Sequence, residues 1–174
     1  MLSIGRALGA LFIAASIAVG AHAEALNAPQ WKFSATFPCQ SELSGDSTDT
    51  DIGKIAITTY GCATKDVDNY FAVAISDYPL GSIKPDNIDS VYAGGVSGGA
   101  TAMGGTIRNV MPITLGKITG REAIIDIPDK KLVARTRLFI IGDRMYQVIV
   151  VGAPGIETSK DCLDFLDSFK LLDG

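Results

Sequence analysis

Residues 132–152 read LVARTRLFIIGDRMYQVIVVG. Two apolar-rich runs, Leu132 to Ile141 and Arg144 to Gly152, flank Gly142-Asp143, a dipeptide suited to a two-residue hairpin turn. With that turn, Ile141 faces Arg144, Phe139 faces Tyr146 and Arg137 faces Val148, so Arg135, Arg137, Arg144 and Tyr146 share one face of the hairpin. The rest of the chain is read outward from this antiparallel pair.

Upstream, Met111 to Ile118 and Glu122 to Ile127 have the density of β-branched and apolar residues expected of strands. Nearer the N-terminus, Trp31 to Leu43 alternates, with Trp31, Phe33, Ala35 and Phe37 on one side. It runs into Ser44 to Asp51, a polar loop, and Ile55 to Thr64 and Tyr70 to Tyr78 follow as strands, so the opening reads as a three-stranded meander. Asp86 or Asn87 caps a helix carrying Ile88, Val91 and Tyr92. The glycine pairs from Gly94 to Gly105 predict fraying or a loop after its first turns, because each glycine costs a helix roughly 0.5–1 kcal/mol relative to alanine. Their spacing matches neither G-x-G-x-x-G nor a P-loop, so close packing explains them better than a phosphate cradle. Ala153-Pro154-Gly155 stops the sheet, and Thr158 or Ser159 caps a last helix with Cys162, Phe165, Leu166 and Phe169 at helical spacing. The expected fold is α+β: an antiparallel sheet of about six to seven strands with two packed helices, after an N-terminal signal peptide.

Residues 1–23 have the export pattern: Arg6 as the positive n-region, Ala7 to Gly20 as the apolar stretch, and Ala21-His22-Ala23 as a small-x-small cleavage site. The apolar stretch is shorter than the roughly 17–25 residues of a membrane anchor, so cleavage after Ala23 and a periplasmic or secreted product are expected, with residues 24–174 as one domain. Of the chain's 15 Lys and Arg the segment holds one and of its 19 Asp and Glu none, so 14 bases remain against 19 acids, a net charge of −5. Such a surface disfavours nucleic acid and anionic membrane as partners.

The chain's one histidine, His22, falls in the segment removed. Without an imidazole, Ser-His-Asp and Cys-His catalysis are excluded, and zinc sites of the usual kinds are improbable with three cysteines. No cofactor is implied. Ser159-Lys160 sits where a helix cap is expected, so it does not mark a Ser-Lys dyad. Asp46, Asp49 and Asp51, followed by Gly53, do not fit a calcium loop, since counting from Asp49 the third ligand position is Gly53 and the closing position is Tyr60, and they read as a solvated hairpin tip. Three cysteines allow three pairings with one thiol left over; Cys39 and Cys62 flank the polar loop between two strands, and because folding that loop as a hairpin could bring them opposite each other, their disulfide is the favoured pairing. Cys162 lies on the apolar stripe of the last helix as a buried thiol.

Several stretches resemble the PsbP-like α/β/α sandwich group: Trp31-Lys32-Phe33-Ser34 through Phe37-Pro38, Gly120-Arg121-Glu122, Arg137-Leu138-Phe139 through Arg144-Met145-Tyr146-Gln147-Val148, and Phe165-Leu166-Asp167-Ser168-Phe169-Lys170. That group includes photosystem accessory subunits, a regulator of the Ran GTPase and small exported bacterial proteins. The resemblance implies a mostly non-enzymatic binding or accessory domain, and it supplies no catalytic set. The expected role is therefore an exported envelope protein contacting a protein partner or a small anion. The cationic and aromatic set Arg135, Arg137, Arg144 and Tyr146 is its candidate ligand surface, since guanidinium forks grip carboxylate and phosphate. The competing account pairs these arginines with the protein's own acids. A structural or stress-related envelope protein without a ligand, and a histidine-free hydrolase, are the alternatives.

Overall fold

The computed structural model describes residues 23–64 and 69–172. The export signal, apart from Ala23, lies outside the described residues. The hairpin at Gly142-Asp143 forms in the expected register: β8 (Leu132–Ile141) and β9 (Arg144–Gly152) are antiparallel, with Ile141 opposite Arg144 and Phe139 opposite Tyr146. Gly142 holds φ at 58°, a conformation glycine adopts at no steric cost.

Five further strands extend this pair: β3 (Glu42–Thr50), β4 (Gly53–Ala63), β5 (Tyr70–Asp77), β6 (Thr106–Leu115) and β7 (Ile118–Ile127). They give a seven-stranded antiparallel sheet in the order β3-β4-β5-β9-β8-β7-β6. A smaller sheet joins β1 (Glu24–Ala28), β2 (Phe33–Phe37) and β10 (Lys170–Leu171) in the order β1-β2-β10. Helix α1 (Ile88–Met103) packs Tyr92 and Val96 on one face of the large sheet, against Leu138, Ile140 and Met145. Helix α2 (Lys160–Ser168) and the small sheet cover the other face. There Phe169 stacks on Phe33 and Phe139 at 5.8 and 5.9 Å, and Phe165 meets Phe37 and Phe71. The fold is α+β.

Four stretches depart from the expectation. Trp31 to Leu43 is not one strand: Pro29–Trp31 is a 3-10 turn, Lys32 reverses the chain at φ 54°, and β2 pairs back on β1. Phe33, Ala35 and Phe37 still face the core. The meander is instead β3-β4-β5, and Ser44 to Thr50, expected as loop, is strand. Every residue of β3 is exposed, so neither side chain face buries and the sequence has no apolar alternation to show. The strand expected over Met111 to Ile118 is broken by a Gly116-Lys117 turn, with Gly116 at φ 60° and Leu115 opposite Ile118.

Helix α1, expected to fray at Gly94, runs on to Met103 and ends at Gly104, whose φ of 67° lets its N–H reach the Ala100 and Thr101 carbonyls. Packing explains the persistence. A Cβ on Gly95 would come within 2.8 Å of Met145 Sδ, so its absence lets α1 settle on the sheet. Burial of Tyr92, Val96 and Ala100 then offsets the lost propensity.

Cys39 and Cys62 form a disulfide with a Cα separation of 5.9 Å. The β3–β4 register sets Glu42 opposite Gly61, so the chain just before β3 returns beside Cys62, and the bridge fastens the exit of β2 to β4. Cys162 is free and buried on α2, where burial pushes its thiol up to about 11.

Candidate functional site

Strand alternation sends Arg135, Arg137 and Phe139 of β8 toward the α2 side. On the neighbouring strand, Glu122 lies directly opposite Arg137. Arg135 Nη2 donates to Glu122 Oε1 at 2.7 Å, and Arg137 Nε donates to Glu122 Oε2 at 2.8 Å, so one carboxylate holds both guanidinium groups. Each arginine also reaches the C-terminal segment, Arg135 Nη1 donating to the Glu157 carbonyl and Arg137 Nη1 to Asp167 Oδ1, both at 2.7 Å. Arg108 extends the row, bonding Glu157 Oε1 at 2.9 Å and Asp126 Oδ2 at 3.0 Å. Cations and anions thus alternate along the seam between the sheet and the α2 segment.

Glu122 is 4% exposed. Burial alone would raise its carboxyl, but the hydrogen bonds from Arg135 and Arg137 outweigh that and hold it below the ordinary carboxylate range. Glu157 behaves in the same way: burial works upward, and the bonds from Arg108 and backbone N–H groups bring it down. Burial works against the charge on Arg137, yet Glu122 and Asp167 raise its affinity for the proton above the ordinary value.

The four residues of the expected ligand surface separate into two pairs. Arg135 and Arg137 meet at Glu122. Arg144 instead grips Asp77 through Nε at 2.5 Å and Nη2 at 3.1 Å, and its guanidinium carbon lies 5.2 Å from the Trp31 ring centre. Tyr146 is 2% exposed and donates its hydroxyl to the Trp31 carbonyl at 3.0 Å. Its ring belongs to the aromatic core with Phe33 and Phe169.

Arg137 is the member that opens outward. With Asp167 it borders a groove of about 520 Å³ between α2 and β6, whose walls include Ile113, Leu115, Phe139 and Phe169. Its inner bond runs to buried Glu122, while its outer partner, Asp167, has a side chain 66% exposed. An exposed ion pair is weakly held, so an incoming carboxylate can take the place of Asp167 on a guanidinium already oriented by Glu122. Sequence reading missed Glu122 and Asp167 as partners; the available signal was a lone acid opening the apolar run Ala123 to Ile125.

Other expected positions take structural roles. Ser159 Oγ accepts from Cys162 N at 3.2 Å as a helix cap, and Lys160 pairs with Asp164 one turn on. Asp46 and Asp49 sit on exposed β3, and Asp51 is in the turn that follows.

No protein-family profile and no curated protein sequence matches the chain. Among solved structures, the solution structure of cyanobacterial PsbP (CyanoP) from Synechocystis sp. PCC 6803 matches it with a TM-score of 0.56, over 88% of this chain and 95% of that one. Sequence identity over the match is 10%, a level at which the likeness is one of fold. The order of strands and helices and the superposition together give the chain a PsbP-like fold.

Proposed function

We propose that this is an exported, non-enzymatic binding or accessory protein of the bacterial cell envelope, and that it captures a carboxylate at Arg137 in the groove between α2 and β6. The carboxylate belongs to a protein partner or to a small molecule. The observation that carries the reading is the asymmetry of the Arg137 pairings, buried and fixed toward Glu122, exposed and exchangeable toward Asp167. Export is supported by the leader pattern of residues 1–23 and by a disulfide, a bond that persists in oxidising compartments.

The test uses 3-phenylpropionate as the probe, an aromatic body with one carboxylate. Asp167→Asn frees the outer edge of Arg137 and should tighten binding about two- to fivefold, the equivalent of an exposed pair. Leu115→Trp fills the groove and should abolish binding. Equal affinity in wild type and both variants would overturn the reading. A photoreactive residue in place of Thr114, with mass spectrometry of the native envelope fraction, separates the two sources: a protein adduct competed by 3-phenylpropionate identifies a partner, and its absence with tight probe binding identifies a small molecule.

A further inference from the structure

Strand β6 carries a bulge between Ile107 and Asn109. In a regular strand, residues 107 and 110 would point to opposite faces. The bulge instead places Ile107 opposite Ile125 and Val110 opposite Ala123, both on the face covered by α1. Because β6 is the sheet's edge and α1 lies over its neighbours, these two side chains stay substantially exposed and wall a groove of about 600 Å³. Buried Tyr92 and Val96 form its floor, and the α1 side is trimmed to Gly94 and Ser97. A Cβ built on Gly94 meets nothing within 4 Å, so no packing contact accounts for that glycine.

One end of the groove is charged. The Arg121 guanidinium lies 5.1 Å from the centre of the Tyr92 ring, and Nη1 donates to the Gly120 carbonyl at 3.0 Å. The ring beneath it is itself fixed, since the Tyr92 hydroxyl donates to the Thr119 carbonyl at 2.7 Å and accepts from Ile140 N at 3.0 Å. The remaining partner is Asp89, bound by Nη2 at 2.6 Å with its side chain 83% exposed. Asp89 stands in the first turn of α1, where a free carboxylate remains favourable.

We infer that this groove is a second binding site, separate from Arg137, and that it takes an aliphatic monocarboxylate: the carboxylate replaces Asp89 on Arg121 and the tail lies between Val110 and the small-residue side of α1. Its volume falls within the ordinary range of small-molecule sites, and its lining is mostly apolar with a few polar groups, Arg121, its exchangeable partner Asp89 and Ser97, the usual build of such sites. One guanidinium in the lining matches one negative charge, and its planar fork suits a carboxylate.

The probe is decanoate, titrated calorimetrically below its aggregation concentration into the full-length mature chain with the disulfide intact, with 1-decanol as the neutral counterpart. Wild type should bind decanoate saturably, and decanol at least tenfold more weakly. Gly94→Leu should fill the groove and weaken decanoate at least tenfold while leaving the fold unchanged by circular dichroism; Ser97→Leu, also on the exposed side of α1, gives the same readout. Arg121→Gln should bring decanoate to the level of decanol. Leu115→Trp, which closes the other groove, should leave decanoate binding unchanged. Equal binding of acid and alcohol, indifference to both leucine variants, loss of binding in Leu115→Trp, or no saturable binding at millimolar decanoate would each overturn the assignment.

Discussion

Replacing Glu122 by Gln tests whether the charged seam is held together by this one carboxylate. Its two oxygens accept from Arg135 and Arg137 at 2.7 and 2.8 Å, and the arginine side chains are only 17% and 19% exposed. Glutamine keeps the volume but removes the charge, and its NH2 group turns a donor toward a guanidinium. Breaking a buried pair from one side typically costs about 3–5 kcal/mol. The lower end applies because Arg137 keeps Asp167 and Arg135 keeps the Glu157 carbonyl. A loss of about 3 kcal/mol corresponds to a drop of roughly 6–12 °C in Tm for a chain of this size. Thermal and urea unfolding at pH 7 measure it. The pH dependence supplies a second check. The folded carboxyl titrates below its ordinary 4.5, so its contribution is complete above that pH and is lost as pH falls through the folded value. Glu122→Gln should therefore lose less stability than wild type between pH 5 and pH 3. A variant within 1 kcal/mol of wild type at pH 7 would refute the reasoning, since the arginines would then be satisfied without Glu122.

Reduction of Cys39–Cys62, which spans 23 residues, should lower stability by about 3 kcal/mol in the chain-entropy account; an unchanged Tm after reduction, with three thiols titrating in denaturant, would contradict it. Gly98→Ala should stabilise the protein by about 0.5–1 kcal/mol, because Gly98 lies inside α1 with open space where the methyl would go; destabilisation in urea would mean that α1 does not continue past Gly94. Cys162, buried and with its thiol pushed up to about 11, should resist a thiol reagent at pH 8 in the native protein and react once denaturant is added without reductant; fast labelling of the native state would count against its burial.

What could be read from the residues follows from where burial leaves a periodic trace. β8 and β9 lie between the two layers and bury residues on both faces, and α2 buries one stripe; these apolar runs and spacings revealed the elements, and the turn dipeptide revealed the Gly142-Asp143 register. β3 buries neither face, so it was indistinguishable from a polar loop. The glycines of α1 read as breakers because propensity is local, whereas the contact that requires Gly95 to lack a Cβ comes from Met145, fifty residues further along the chain. The bulge in β6 left no periodic mark at all, yet it decides that Ile107 and Val110 share a wall. The arginines show the same limit for electrostatics. Hairpin register could place Arg135 and Arg137 side by side, but not the acid between them, because Glu122 enters from β7 and Asp167 from α2. Cations brought together on a largely covered sheet face must be neutralised, so their clustering alone does not mark a ligand site. The informative quantity is how each partner is held: Arg144 is engaged by Asp77 and Trp31, Arg135 by Glu122 and a backbone carbonyl, whereas Arg137 and Arg121 each combine a fixed guanidinium with an exposed aspartate beside a groove. Exchangeability of the partner, rather than positive charge, is therefore the property on which both proposed sites rest.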